Sequence, residues 1–457
     1  MLDVGFILPS SHYLKDPFRG DPFTHFHILT LLEEHFGQKI KVRLPDLRGI
    51  DRAFAFYHIP ECDVYLHSIY TLDYNEQALL VAMLRRLYPR AVHIAGGPHA
   101  NEFPEQSLKV FDTLIIGEGE QTIVQALEDF QNNQSKRIYQ ETGMIDINRY
   151  PYPNRSYLPK SVTARRKMMT LKSKPGVYDH LISTNVLFSR GCPYHCSFCA
   201  LIQARENSPG IRFRTPKLIE EEIEYLKREY GIEGLVLVDE IGIPLNMRMA
   251  VPHLEAIGRT SIVWRGQCRV DGITPQIASL ARESGCIALG LGLESVSQIS
   301  LDIINKNINI EQARQTIRIL KEHDIEVRLY MIMGLPAEPP DIVEQTWQFI
   351  SETKPDVVHL SLFTVRPGTE LFRHPEKFGI KPITADWDET MHLHAFGGDK
   401  LNLTFEYEEY TPWGPSLKPD QIIANYLELL NRLKETGLSS TVLNKSTLPF
   451  DDISDSI

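Results

Sequence analysis

Residues 189–201 read SRGCPYHCSFCAL. Three of the six cysteines, Cys192, Cys196 and Cys199, fall here with C-x3-C-x2-C spacing, while Cys62, Cys268 and Cys286 are scattered. Three thiolates this close along one loop can converge on one metal centre. A structural zinc site normally takes four protein ligands, and no suitably spaced fourth cysteine or histidine follows. His195 lies between two of the ligands, and its side chain is not expected to turn inward as well. A three-ligand site leaves a coordination position open. On an iron–sulfur cubane, that is one iron able to bind a small molecule. Zinc, or cysteines that merely pack, would explain neither the missing ligand nor the loop's position in the chain.

That position is set by the flanking sequence. NVLFS runs into the loop as a strand, and GLVLV, SIVWR, IALGLGL, VRLYMIM and VVHLSLF follow, each separated from the next by a helical stretch. In TPKLIEEEIEYLKREYG (215–231), Thr215 stands at the N-cap, Pro216 at the first helical position and Gly231 just past the end. Six such units fill about 187 residues (184–370), whereas a closed eight-unit barrel needs about 200–250. A six-unit partial barrel is therefore predicted, with the cysteine loop at the carboxyl end of its first strand, where such folds place their chemistry.

Upstream, residues 1–140 alternate strands (DVGFIL, KIKVRL, DVYLHS, AVHIAG, DTLIIG) with amphipathic helices at 24–37 and 76–89. This is the pattern of a doubly wound, flavodoxin-like parallel sheet, whose ligands bind outside the carboxyl ends of the strands. Gly96, Gly97, Gly117 and Gly119 stand at those ends, where the lack of a Cβ lets backbone approach a ligand; ordinary strand-to-helix turns would use the same residues. Residues 141–183 read as a linker, with YPYPNRSYLPK and a basic run, ARRKMMTLKSK, expected to be solvated. Residues 371–457 form an α+β extension. Its helix, PDQIIANYLELLNRLKETG (419–437), carries Ile422, Ile423, Tyr426, Leu430 and Leu433 on one face and is expected to pack on the barrel. His392 and His394 alternate in MHLHAF and are read as satisfied histidines. Phe405, Tyr407, Tyr410 and Trp413 are read as packing residues rather than pocket residues.

Composition excludes several classes. With 457 residues, 42% hydrophobic and 23% charged, the chain is globular rather than disordered or coiled-coil. Its net charge of −11, from 48 basic and 59 acidic residues, argues against a broad duplex-binding surface, and no DNA-binding helix pair is visible, so DNA is not an expected partner. No basic-then-apolar leader and no run of 18 apolar residues occurs. The expectation is a cytoplasmic protein without a membrane span.

Cys192, Cys196 and Cys199, with Phe198 before the last, resemble the signature of radical S-adenosylmethionine (SAM) enzymes, a family built on a partial (β/α)6 barrel. The resemblance implies a 4Fe–4S cluster on the three cysteines and SAM on the fourth iron. One electron then splits SAM to a 5′-deoxyadenosyl radical that takes hydrogen from an unactivated carbon. It also implies SAM contacts. Asp239 and Glu240 in GLVLVDEIG stand where the family carries an acidic, glycine-containing motif, though not in its commonest Gly-Gly-Glu form. Gln267, with Arg269 beside it, ends the third strand. Glu294 in GLGLES matches the ribose-binding acid, and Arg328 lies on the strand that packs against adenine.

The upstream domain resembles the cobalamin-binding domain that precedes the barrel in one large subfamily. Ser68, Gly96, Gly97, Gly117, Glu118 and Gly119 are the positions carried over. The Asp-x-His-x-x-Gly motif that supplies a cobalt ligand is replaced by PSSHYLKDPFRG, so His12 is not in that context. Cobalt would lack a histidine below it, with the loop Ile69–Tyr74 covering that face. The resemblance implies a cobalamin-dependent methyltransferase acting on an unactivated carbon. The alternatives are a cobalamin-dependent radical cyclase or rearrangement enzyme, or a radical SAM enzyme whose first domain no longer binds cobalamin. Methylthio transfer is disfavoured, because only Cys62 lies in the N-terminal region. A small-molecule or peptide substrate and a flavodoxin or ferredoxin as electron donor are the implied partners.

Overall fold

The computed structural model describes residues 1–457 except 12, 13, 15, 19, 142, 201–209, 382–402 and 441–457. β1 (Leu2–Ile7), β2 (Ile40–Arg43), β3 (Val64–Ser68), β4 (Val92–Gly96), β5 (Thr113–Ile116) and β6 (Ile138–Gln140) form a parallel sheet in the order β2-β1-β3-β4-β5-β6. Strands covered on both faces can be apolar nearly throughout, and β3 is buried along its whole length. Leu29 and Leu32 of the Phe23–Phe36 helix and Leu127 of the Glu120–Gln131 helix close one face. Leu80 and Leu84 of the Tyr74–Leu87 helix close the other. The first of these helices ends at Gly37, whose φ of 53° lies in the left-handed region. The chain order reverses between β2-β1 and β3, which makes the carboxyl end of the sheet there a natural crevice.

The second sheet is also six-stranded and parallel. It runs β14-β13-β12-β11-β10-β7, with β7 (Ser183–Val186), β10 (Gly234–Leu237), β11 (Val263–Arg269), β12 (Cys286–Glu294), β13 (Glu326–Met333) and β14 (Val357–Leu362). Strand period two sends Trp264, Leu291 and Leu329 out into the core shared with the helices. Gln267, Gly290, Gly292 and Tyr330 face the other way, into the half-barrel. The Pro216–Tyr230 helix starts and stops as its ends dictate, with Gly231 at φ 65°, although Thr215 makes no side-chain capping bond.

Two features depart from the sequence reading. The first strand does not run straight into the cysteines: after β7 the chain turns into a separate antiparallel pair, β8 (Ser189–Cys192) with β9 (Gly210–Phe213). The basic run 164–174 is not simply solvated either. Met169 and Leu171 are buried and pack with Ile287 and Ala288. An open half-barrel leaves its amino-terminal floor exposed. Two apolar side chains buried there are each worth about 1.5–3 kcal/mol, which outweighs the solvation preference of the lysines and arginines between them.

The tail packs as expected. The Pro419–Glu435 helix lies against β13, β14 and the Ile342–Thr353 helix. Leu429, rather than Ile423, joins Ile422, Tyr426, Leu430 and Leu433 among its buried residues. Phe405 and Tyr407 belong to the barrel core, and Tyr407 donates to the Gly334 carbonyl at 2.9 Å. Trp413 packs against the same core, whereas Tyr410 is exposed. His392 and His394 lie outside the described residues, as does His12. Among the described residues, no helix is long and apolar enough to cross a membrane.

Candidate functional site

β8 delivers Cys192 at its last residue, opposite Gly210 of β9. Gly191 has φ 86°, and a Cβ there would lie 2.3 Å from the Gly210 carbonyl, so no side chain fits at this crossing. Beyond Cys192 the loop is anchored through its own backbone. Ser197 N–H donates to the Ile304 carbonyl at 2.8 Å, and Asn305 Nδ2 donates to the His195 carbonyl at 2.8 Å. Ser197 Oγ donates to Glu370 Oε2 at 2.9 Å. A few residues on, Arg373 pairs with Glu102 of the first domain at 2.7 Å, so the Glu370–Arg373 turn touches the loop and that domain together.

Cys192 and Cys196 are buried and Cys199 is half-buried; none of the six cysteines forms a disulfide. His195, between them in sequence, is exposed. The centre of the constellation is Arg269, at the end of β11. Its guanidinium grips Asp271 at 2.9 and 3.2 Å and donates to the Lys306 carbonyl at 2.7 Å. It also lies 3.5 Å from the Tyr194 ring centroid and reaches Cys196 Sγ at 3.7 Å. Arg269 is itself buried, so a cation stands against the Cys196 sulfur in the interior of the site.

Among the described residues, no three His, Cys, Asp or Glu side chains close on a single-ion position. A cubane takes its cysteines on three separate irons, so its thiolates stand further apart than those around one tetrahedral ion. Three cysteines within eight residues of one loop, with a guanidinium donor on Cys196 and His195 exposed, fit that group. Cys192, Cys196 and Cys199 would hold it.

Of the six expected SAM contacts, four (Asp239, Glu240, Gln267 and Glu294) stand at the carboxyl ends of barrel strands and Phe198 stands on the cysteine loop itself. Asp239 follows β10 and is buried. Its Oδ1 accepts from Phe188 N–H at 2.9 Å and Ser189 Oγ at 2.6 Å, while Oδ2 has no partner among the described residues. Burial pushes its carboxyl up to about 7. Glu240 is raised by burial as well, and its Oε2 is also buried without a partner among the described residues. Gln267 Nε2 donates to the Asp239 carbonyl at 2.9 Å. Glu294, with φ 73° at a break in the β12–β13 register, accepts from Lys306 Nζ at 2.8 Å. Lys306 lies 5.7 Å from the Phe198 ring centroid, which links the cysteine loop to the end of β12.

Arg328 is the exception. It enters β13 near the strand's start, binds Glu326 at 2.9 Å and donates to the Thr170 carbonyl at 2.6 Å. It therefore holds the floor segment at the amino end of the barrel. In a strand, a shift of a few residues separates floor from mouth at about 3.3 Å per residue, and the sequence pattern did not fix which end Arg328 occupied.

A cavity of about 270 Å³ opens at the carboxyl ends of β3, β4 and β5. Ser68, Gly96, Gly97, Gly117, Glu118 and Gly119 all line it, and Ser189 and Arg190 of β8 close its barrel side. At Gly97, φ 97°, a Cβ would meet Ile69 N at 2.9 Å; at Gly117, φ 90°, it would meet the Glu141 carbonyl at 3.0 Å. Glu118 does not present a bare carboxylate to the cavity. Arg212 holds it at 2.5 and 2.8 Å. Glu120 binds Arg190, and His27 at 3.0 Å. Burial alone would raise Glu120, but Arg190 and His27 outweigh it and hold the carboxyl near 2.

Sequence reasoning missed Lys306, Arg190 and Arg212, and it placed Arg269 beside Gln267 at the end of the third strand without its contact to the cysteine loop. The signal for the arginines was their placement on either side of the cysteine loop, at 190 and 212.

Residues 186–350 match the family described as the Radical SAM superfamily. The reaction of that superfamily rests on a 4Fe–4S cluster and SAM. The chain is 24% identical over 436 residues to the anaerobic magnesium-protoporphyrin IX monomethyl ester cyclase of Rubrivivax gelatinosus, covering 92% of this chain and 70% of the relative. It is 24% identical over 318 residues to the bacteriochlorophyllide d C-12(1)-methyltransferase of Chlorobaculum tepidum, covering 67% of this chain and 66% of that one. Its fold is similar to that of the radical SAM methyltransferase TsrM from Kitasatospora setae, solved with cobalamin and a [4Fe–4S] cluster bound. The TM-score is 0.67 at 15% identity, over 93% of this chain and 88% of that one.

Proposed function

We propose that this chain, an enzyme whose residues 186–350 belong to the radical SAM superfamily, is a cobalamin-dependent methyltransferase acting on an unactivated carbon. One observation carries the reading: β8, which ends at Cys192, also forms the wall of the glycine-lined cavity through Ser189 and Arg190. A group seated in that cavity and a cluster on the cysteines would share one β-hairpin, and radical chemistry needs its parts held close and away from water. When bound, the cluster supplies the electron that splits SAM, and cobalamin serves as methyl carrier.

The chain's own residues would then have distinct tasks. Cys192, Cys196 and Cys199 hold the cluster, and Arg269 supports Cys196. Asp239 and Glu240 offer buried carboxylate oxygens without a partner among the described residues, suited to an ammonium group, and Glu294 suits hydroxyl groups. Phe198 and Gln267 complete that wall. Ser68, Gly96, Gly97, Gly117, Glu118 and Gly119 form the corrin-side surface, as expected of glycine loops that admit a bulky planar ligand.

A cyclase reading keeps the same cofactors, and the relative aligned over 92% of this chain carries that name. The deciding experiment is anaerobic reconstitution with iron and sulfide, with and without hydroxocobalamin, followed by turnover with methyl-labelled SAM. A product carrying the label only when cobalamin is present is the expected result. An unlabelled product with an added ring would establish cyclisation, and unchanged activity without cobalamin would overturn the cobalamin-dependent reading.

A further inference from the structure

The hairpin that carries Cys192 has an unusual pair at its centre. Arg190 of β8 and Arg212 of β9 stand directly opposite each other in the antiparallel register. Like charges in that position repel across the pair, so the hairpin needs counter-charge from elsewhere. It comes from one loop of the other sheet. Arg212 takes both oxygens of Glu118 at 2.5 and 2.8 Å, and Arg190 binds Glu120 and lies 3.8 Å from Glu118. Arg212 and Glu118 have side chains 11% and 16% exposed, and Arg190 and Glu120 28% and 3%, so these pairs are largely shielded from solvent. The two glutamates alternate with Gly117 and Gly119, whose backbone lines the cavity. Along β8, Cys192 is two residues from Arg190, about 7 Å at strand spacing.

The loop has little freedom to move on its own. Glu118 also accepts from Ile145 N–H at 3.3 Å, and Gly117 N–H donates to Asn101 Oδ1 at 3.1 Å. Glu120 begins the Glu120–Gln131 helix, where a carboxylate is favourable at the positive end of the helix dipole. A ligand pressing on Gly117 or Gly119 therefore displaces the carboxylates together with their arginines, and through them the β8–β9 pair.

We infer that Arg190 and Arg212 are positioning residues that link the cavity to the cluster: occupation of the cavity changes the geometry at Cys192, and a cluster on Cys192 changes affinity in the cavity. The inference rests on the reading of the cavity as a cobalamin site. Linkage of this kind is reciprocal, because two equilibria that share one structural element change each other by the same factor.

The test uses the full chain under anaerobic conditions with hydroxocobalamin as probe. Its Kd is measured on cluster-loaded and cluster-free protein, and the rate of iron loss to a chelator is measured with and without it. The wild type is expected to show a Kd ratio of about five-fold or more and slower iron loss when the cavity is filled. In Arg212→Gln, hydroxocobalamin should still bind and iron should still load, with the Kd ratio collapsing toward unity. Arg212→Lys, which keeps the charge but not the two-pronged contact, should fall between, and it serves if the glutamine variant does not fold. Binding with equal Kd in both forms of the wild type, or an undiminished ratio in both variants, overturns the inference alone. Absence of hydroxocobalamin binding overturns the cavity assignment and the inference with it.

Discussion

Arg269→Gln is the sharpest test of how the cysteine loop is held. The guanidinium forms a two-point pair with Asp271, and the two side chains are only 7% and 18% exposed. Removing one partner of a buried pair costs about 3–5 kcal/mol, because the other charge is left behind. The lost hydrogen bond to the Lys306 carbonyl adds about 1 kcal/mol, and the contact with Tyr194 about 0.5–2 kcal/mol. Against this, Asp271 keeps the Tyr194 hydroxyl at 3.1 Å and some contact with water. The expected net loss is about 3 kcal/mol, roughly a hundred-fold in the barrel's folding constant. Urea unfolding of cluster-free protein measures it, with Trp264, buried on the same strand, as a fluorescence reporter. Arg269→Lys should recover part of the loss. In reconstituted protein, loss of a donor to a cluster sulfur should move the midpoint potential to more negative values, since hydrogen bonds to the sulfurs help set it. An Arg269→Gln protein with wild-type urea midpoint and wild-type potential would refute the reasoning.

Three further outcomes follow from the geometry. Burial raises the Asp239 carboxyl to about 7 from the ordinary 3.8, so the folded state holds its proton more tightly than the unfolded one. Its stabilising contribution is full below the unfolded value and is lost as pH rises through about 7; Asp239→Asn should flatten the fall in urea midpoint between about pH 4 and 7. Gly191→Ala puts a Cβ 2.3 Å from a carbonyl at φ 86°. The left-handed backbone alone costs about 1–2 kcal/mol, so iron bound per chain after reconstitution should drop sharply while circular dichroism stays near wild type. Gly97→Ala meets Ile69 N at 2.9 Å and should weaken hydroxocobalamin retention on a desalting column without changing iron content.

The barrel was legible because its signals are local and repeated. GLVLV, IALGLGL and VRLYMIM are buried runs with capped helices between them, and each strand pairs with its sequence neighbour. The cysteine spacing was equally local. What the sequence hid was contact between distant segments. Arg328 looked like a mouth residue because strand period fixes which face a side chain takes, not how far along the strand the floor ends. Met169 and Leu171 were masked by the lysines and arginines around them, although a six-unit half-barrel requires something apolar at its base. Asp239 was legible as a carboxylate at a strand end, but not as the acceptor that ties Phe188 and Ser189 into the start of the cysteine hairpin.

The same contacts imply that cofactor positions and stability are not separable here. Asp239 serves the hairpin with one oxygen, and its other oxygen is buried without a partner among the described residues. Glu118 lines the cavity while neutralising Arg212. Arg269 braces the loop by ion pairing and touches Cys196 with a different nitrogen. Single substitutions at these residues will move folding and chemistry together. The conservative changes, Asp239→Asn and Arg212→Lys, are therefore the informative ones, since each preserves most of the packing and alters one charge or one prong.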